Sequence, residues 1–342
     1  MKKFVVIFTI FFITISSFYI YAGKREEREK LYLSALTEKN PELKLQKLEE
    51  YYNKYGKKKK YQTSTLFIQL VETSLKLKKY DKLLNYADIA LSYKRLSDND
   101  RSNVKLNKAY YYIYGKKDFK TAESLADEVI AFAKSKKDKN LNADALRLKV
   151  VILESSSKDV ETIKKALKIS IDIYNIDHSL RSAHFVYYFS KKLYDEFTLY
   201  DEAIMGLEKI CTDNRARSEH LEQLALWYMQ DGLNKKALKY LIPSYMRKKN
   251  SKRAYFIGKL MCESDTEKAF QYLGEAYVLS NEPYATKAID LLKIEYKKEL
   301  KQKLNQEQGA EEEQEEVKEP EEEEIEAGIE KIIEEAKARL GR

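Results

Sequence analysis

Proline and glycine are scarce, at four and ten residues in 342. Barrels and sandwiches need turn residues about every 8–12 positions, so this shortage argues against both. Two cysteines exclude a disulfide-stapled scaffold, and Cys211 and Cys262 lack paired CxxC spacing. The three histidines, His178, His184 and His220, fall in no ligand motif. Gly56, Gly115, Gly232 and Gly258 stand alone, without the spacing of a phosphate-cradling loop. The acidic residues are scattered over helix surfaces, where some close pair is inevitable and carries no weight. Neither an active site, a metal site nor a cofactor is expected. With 44% apolar residues the chain is too hydrophobic to stay unfolded. What remains is a mostly helical protein, as two domains or one elongated array.

One long apolar run is present. Lys2 and Lys3 precede an uncharged stretch from Phe4 to Ala22, and charge resumes at Lys24 and Arg25. A basic start followed by an apolar run is the pattern of an export signal. Its length approaches the ~20 residues that span a bilayer. Residues 1–23 therefore read as a membrane anchor or as a signal peptide cleaved after Ala22. Either places the body outside the cytoplasm, facing the extracytoplasmic side of a membrane, or periplasmic or secreted after cleavage.

Charge is split along the chain. Residues 1–300 carry 56 Lys and Arg against 40 Asp and Glu, and residues 301–342 carry 7 against 15. Residues 305–324 form an acidic low-complexity linker, expected to be solvated and disordered. Of the 63 basic residues 51 are lysines, whereas bidentate phosphate and guanine contacts favour arginine; nucleic acid is not expected as a partner. The sharpest basic cluster, Lys57–Lys60, reads as an inter-helix loop that is either a solubility device or a contact for anionic lipid or wall polymer.

Apolar residues recur at i, i+3, i+4 and i+7 almost throughout. The clearest unit spans 218–249, with Leu221, Leu224, Ala225 and Tyr228 on a first helix and Ala237, Tyr240, Leu241 and Ser244 on a second. Upstream, Phe67, Leu70, Val71 and Ser74 pair with Leu83, Tyr86, Ala87 and Ala90. Leu106, Ala109, Tyr110 and Ile113 pair with Ala122, Leu125, Ala126 and Val129. Tyr187, Ser190, Lys191 and Tyr194 pair with Ala203, Gly206, Leu207 and Ile210. Downstream, Ala254, Ile257, Gly258 and Met261 pair with Ala269, Tyr272, Leu273 and Ala276. Around 142–175 either Ile163 or Ala166 takes the alanine's place, and 26–55 supplies a hairpin broken at Asn40 and Pro41. Residues 284–304 read as a closing helix.

These positions resemble the tetratricopeptide repeat, and 251–281 also looks like its Sel-like relative. Tyr110 and Lys191 depart from the pattern by standing where a small residue belongs. The resemblance implies an all-α superhelical solenoid over 24–304, flanked by the N-terminal hydrophobic helix and the disordered acidic tail. It also implies a groove lined by the first helices. Carried onto this chain, the groove positions are Tyr111 and Tyr114, then Phe185, Tyr188 and Lys192, then Glu222, Leu226 and Met229. Aromatics there offer large contact area at low entropy cost.

Residues 325–342 form a short amphipathic helix. To be stable, its stripe of Ile325, Ile329, Ile332, Ile333, Ala336 and Leu340 needs something to pack against, whether a partner, a second copy or the body itself; without one the end is frayed. Removing 306–342 is expected to leave the melting temperature of the body nearly unchanged, whereas a drop of several degrees would mark docking on the body. The expected function is a non-enzymatic, membrane-tethered scaffold of the bacterial cell envelope, engaging protein partners through the groove, the terminal helix or both. The alternative is a groove that binds a cell-wall polymer or small ligand.

Overall fold

Short polar side chains start the helices, accepting hydrogen bonds from otherwise unpaired backbone N–H groups. Asn40, Thr63, Ser97, Asp118, Asp138, Asp159, Ser179, Asn250 and Asp265 all do so. The computed structural model describes residues 25–213, 215–279, 283–308 and 319–342. The apolar run 4–22, and with it the expected signal or anchor 1–23, lies outside the described residues, as does half of the acidic linker, 309–318. Among the described residues there is no strand, and no helix is long and apolar enough to cross a membrane.

The chain forms two units, up to His178 and from Ser179 onward. The first contains α1 (25–37), α2 (Pro41–Tyr51), α3 (Ser64–Lys76), α4 (Tyr80–Ser92), α5 (Asp98–Tyr110), α6 (Phe119–Lys136), α7 (Lys139–Ser156) and α8 (Val160–Asp177). From α2 onward each helix packs chiefly on its neighbours in sequence, which is the wiring of a helical-repeat stack. Small residues such as Ala87, Ala90, Ala109, Ala122 and Ala126 are fully buried, letting helices approach closely, while Phe67, Leu70, Leu83 and Leu148 fill the seams. Ile163 and Ala166 are both buried, so the ambiguous hairpin uses both.

Helices α2 and α5 each run on into a π-helical turn, at Tyr52–Gly56 and Tyr111–Lys116. A π turn inserts one extra residue and so re-phases the side chains that follow.

The second unit contains α9 (Leu180–Phe197), α10 (Tyr200–Cys211), α11 (Ser218–Gln230), α12 (Asn234–Arg247), α13 (Ser251–Met261), α14 (Thr266–Val278), α15 (Tyr284–Gln308) and α16 (Glu322–Leu340). Buried hydroxyls tie hairpins together: Ser244 Oγ donates to the Ser218 carbonyl and Ser251 Oγ to that of Ala276, both at 2.7 Å. Tyr228 donates to Glu208, and Tyr245 to Glu275.

The closing helix α15 continues four residues past the expected Leu304, and the terminal helix begins before Ile325. α16 lies on α14 and α15 of its own chain. Ile325, Ile329 and Ala336 are buried there. The approach is close enough to need glycine: a Cβ on Gly274 would stand 3.0 Å from Ile332 Cγ2, and one on Gly328 would overlap the Tyr296 ring at 2.2 Å. Arg339 Nε donates to Glu275 at 3.2 Å and Arg342 to the Val278 carbonyl at 2.7 Å. Just before α16, Glu319 takes Lys297 and Lys301 at 3.0 and 2.7 Å. The expected docking helix is thus occupied. Within the chain the helix packs on the body, one of the supports open to it, with Ile332, Ile333 and Leu340 half-buried.

Candidate partner-binding face

In the second unit the first helices of successive hairpins lie side by side. The Tyr187 ring of α9 sits 5.1 Å from the His220 imidazole of α11. Tyr194 stacks on Trp227 at 4.2 Å, nearly parallel at 7°, and its hydroxyl donates to Gln230 at 2.5 Å. From α11, Glu222 reaches α13, accepting from Arg253 Nη2 at 2.7 Å and Lys252 Nζ at 2.5 Å. Tyr255 and Phe256 of α13 pack on Tyr284 of α15.

The expected groove residues fare unequally. Tyr111 is a correction: it is 5% exposed and belongs to the core cluster that also holds Leu83 and Ala87. Tyr111 follows buried Val104 by seven residues, on the same face of α5, and the π turn that begins there leaves Tyr114 outside, half exposed and stacked on Tyr80 and Tyr110. Tyr110, expected at a buried small-residue position, is half-buried beside it while Ala109 is fully buried.

On α9 the register is one residue off the expectation. The buried series is Val186, Phe189, Ser190 and Leu193, not Tyr187, Ser190, Lys191 and Tyr194. Ser190, not Lys191, occupies the small position. The open side of α9 therefore includes His184, Tyr187 and Lys191 as well as Tyr188 and Lys192, which line a shallow cleft of about 270 Å³ together with Asp195 and Glu196. Phe185 is half-buried; Tyr188 is 38% exposed, with its ring against Phe189. Lys192 lies 3.9 Å from Glu196, and Lys191 pairs with Asp195.

Glu222 is also a correction. Its carboxylate holds Arg253, a side chain 3% exposed whose Nη1 also caps the Lys248 carbonyl at 2.7 Å. A buried guanidinium without that partner is expensive, so Glu222 is a strut between helices, not a free contact. Leu226 and Met229 are half-buried on the same side of α11.

Electrostatics add one unusual group. His220 is buried, and desolvation, helped by Arg217, pushes its pKa down to about 4. Its Nδ1 has no hydrogen-bond partner among the described residues. A neutral imidazole stacked on Tyr187 is the consequence. Burial likewise pushes the thiols of Cys211 and Cys262 up to about 12 and 11, so neither presents a thiolate. Among the described residues no group of three His, Cys, Asp or Glu side chains is placed to hold a metal ion. A larger cleft of about 920 Å³ opens between α14, α15 and α16, with Ala285, Ile289, Ile329 and Ile333 among its walls.

No protein-family model matches the chain, and no curated protein does. Solved structures with some likeness include IFIT1, as a monomeric mutant with Gppp-AAAA: 13% identity, TM-score 0.27, 80% of this chain and 60% of that one. The chain thus spans only 60% of that relative's length. Another is Acl4, an assembly chaperone of RpL4, at 13% identity and TM-score 0.25, covering 80% of this chain and 99% of that one. A third, the DHF58 filament, has 15% identity and TM-score 0.15, covering 81% and 96%. Superposition this loose carries no argument; the helical-repeat assignment stands on the helices and their packing.

Proposed function

We propose that this chain is an exported, membrane-tethered helical-repeat scaffold that binds a protein partner in the cell envelope across the first-helix face of its second unit, with no catalysis of its own. The observation that carries the reading is the row of first helices on which Tyr188 stands exposed on α9, with half-buried Tyr187 and Lys191 lining the same shallow cleft, beside the rigid Tyr194–Trp227 stack. Rigid aromatics beside alternating charge are the composition of interface hot spots, because little side-chain entropy is lost on contact. Export and anchoring rest on the run Phe4–Ala22 with its flanking lysines.

The test is affinity purification of tagged full-length protein from detergent-solubilised envelopes, alongside a Tyr187→Ala/Tyr188→Ala variant. A stoichiometric partner lost from the variant supports the scaffold. A partner retained by the variant moves the contact off α9. No partner, together with saturable binding of purified wall fragments that the variant loses, makes the same face a polymer site. Recovery of the chain in the soluble cytoplasmic fraction sinks the export reading.

A further inference from the structure

One loop of the first unit breaks the charge pattern around it. Between Glu50 and Glu72 the chain has five lysines and no acidic residue. Elsewhere in this unit lysines are paired across helices, Lys82 to Glu49, Lys105 to Glu128 and Lys108 to Asp88, each at 2.6 Å. Lys57, Lys59, Lys94 and Arg95 instead line one cleft of about 470 Å³ in which no Asp or Glu takes part. None of the four is in a salt bridge among the described residues.

The cleft is held in shape. Its floor carries Phe67 and Tyr93, with rings 5.3 Å apart. Tyr93 Oη donates to the Gln62 carbonyl at 3.0 Å, and Ser64 Oγ to the Arg95 carbonyl at 3.3 Å. These two bonds clamp the 57–63 loop to the turn after α4, so four basic residues share one cleft with no Asp or Glu among its walls. An incoming anion relieves their mutual repulsion.

Its place in the chain identifies the anion. The Arg28 guanidinium of α1 lies 4.2 Å over the Tyr61 ring, so the first turn of α1 rests on this loop. The first described residue of that helix, Arg25, is three residues beyond Ala22, a reach of at most roughly 10 Å. A membrane into which 4–22 inserts therefore presents its polar surface next to the loop, where basic side chains attract anionic lipid.

We infer that the Lys57–Lys59–Lys94–Arg95 cleft binds the phosphate of an anionic lipid headgroup at that membrane surface. The inference rests on the anchor reading of the run 4–22. It is tested on the full-length chain in nanodiscs of phosphatidylcholine alone or with about 30% phosphatidylglycerol, a strongly anionic surface. Hydrogen exchange is followed by mass spectrometry over 57–62 and 92–96. Exchange there is expected to slow about tenfold in the anionic discs, as for a contact that adds ordinary juxtamembrane attraction, with residues 139–156 unchanged. The variant Lys57→Gln/Lys59→Gln/Lys94→Gln/Arg95→Gln abolishes the difference while keeping the wild-type melting temperature. Equal exchange in a chain that has entered both discs overturns the cleft and spares the anchor. Equal protection by inorganic phosphate in neutral discs overturns the lipid as the source. A chain that stays out of neutral discs overturns the anchor, and the lipid assignment falls with it.

Discussion

Hairpins α9/α10 and α11/α12 are neighbours in one unit, yet only the second keeps the repeat's spacing. On α11/α12 the small residue Ala225 and the second-helix Ala237 are 12 positions apart; on α9/α10 the equivalents, Ser190 and Ala203, are 13 apart. α9 is 18 residues long and α11 is 13. All four small residues are nonetheless fully buried. The close contact between helices is what packing holds fixed: the surplus goes into the C-terminal end of α9, and its turn to α10, residues 198–199, is one residue shorter than the 231–233 turn of the other hairpin. A void or an overlap in that seam would be far more costly than an extra half-turn at a helix end.

That reading is most sharply tested by truncation on α9. Phe189→Ala is expected to cost about 3–5 kcal/mol, as large aromatic-to-alanine changes in a packed core do. Tyr187→Ala, one register position away in the expected pattern, should cost under about 1 kcal/mol. Leu224→Ala on α11 should fall with Phe189→Ala, at about 2–5 kcal/mol. Urea unfolding followed by circular dichroism reads all three, and a Tyr187→Ala loss larger than that of Phe189→Ala reverses the register.

Further along the unit, the regular end is closed by α16. Each buried isoleucine contributes about 1.5–3 kcal/mol against solvent, offset by the entropy of ordering the helix. Deleting 319–342 should therefore lower stability by about 3 kcal/mol, a drop of roughly 5 °C or more in a unit of this size. An unchanged melting temperature would mean that α16 does not support the body. Gly274→Leu should mimic the deletion, because its side chain needs the space filled by Ile332 and Ala336.

Between the two hairpins lies His220, packed on Tyr187. Facing it are Arg217 and His184, which oppose its protonation, and Glu219, which favours it. In the unfolded chain the imidazole titrates near 6.5; folded, it resists protonation down to about 4. The unfolded state thus binds the proton first, so its full stability is present above pH ~6.5 and drains away as pH falls toward 4. The loss between pH 7.5 and pH 5 should be about 2 kcal/mol. In His220→Asn that part of the pH slope should vanish. A slope equal to that of the parent would assign the acid sensitivity to other groups.

Much of the fold was legible because period and composition report directly on burial. Phe67, Leu70, Val71, Leu221, Leu224 and Ala225 lie buried where the 3.6-residue pattern puts them. The candidate face was less legible, for a physical reason. Counting back 12 residues from Ala203 and Ala122 placed Lys191 and Tyr110 in the seam, whereas the π turn of α5 and the longer α9 shift the phase by one. The signal that corrects both is local: Ser190 and Ala109 are the small residues immediately upstream. Nothing comparable flags Glu222, since its Arg253 lies 31 residues away in a different hairpin. The occupancy of α16 was equally hidden, because an amphipathic stripe states that a surface is needed, not whose.

The smallest effect separates the two turns. Gly232 turns α11 into α12 at φ 71°, while Thr198 does the same after α9 at φ 55°. Left-handed backbone suits glycine and strains a β-branched residue. Thr198→Gly relieves that strain and gives up the bond from Thr198 Oγ1 to the Phe197 carbonyl at 2.7 Å. It also adds flexibility to the unfolded chain, worth about 0.5–1 kcal/mol in the opposite direction. The net gain is expected to be about 0.5 kcal/mol. The mirror change, Gly232→Ala, meets nothing within 4 Å, so its cost is backbone strain alone, about 1 kcal/mol. Opposite signs in thermal melts would show that the two hairpins differ in backbone strain as well as in spacing. Destabilisation in both variants would mean that the Thr198 hydroxyl bond outweighs the strain, leaving spacing as the difference between them.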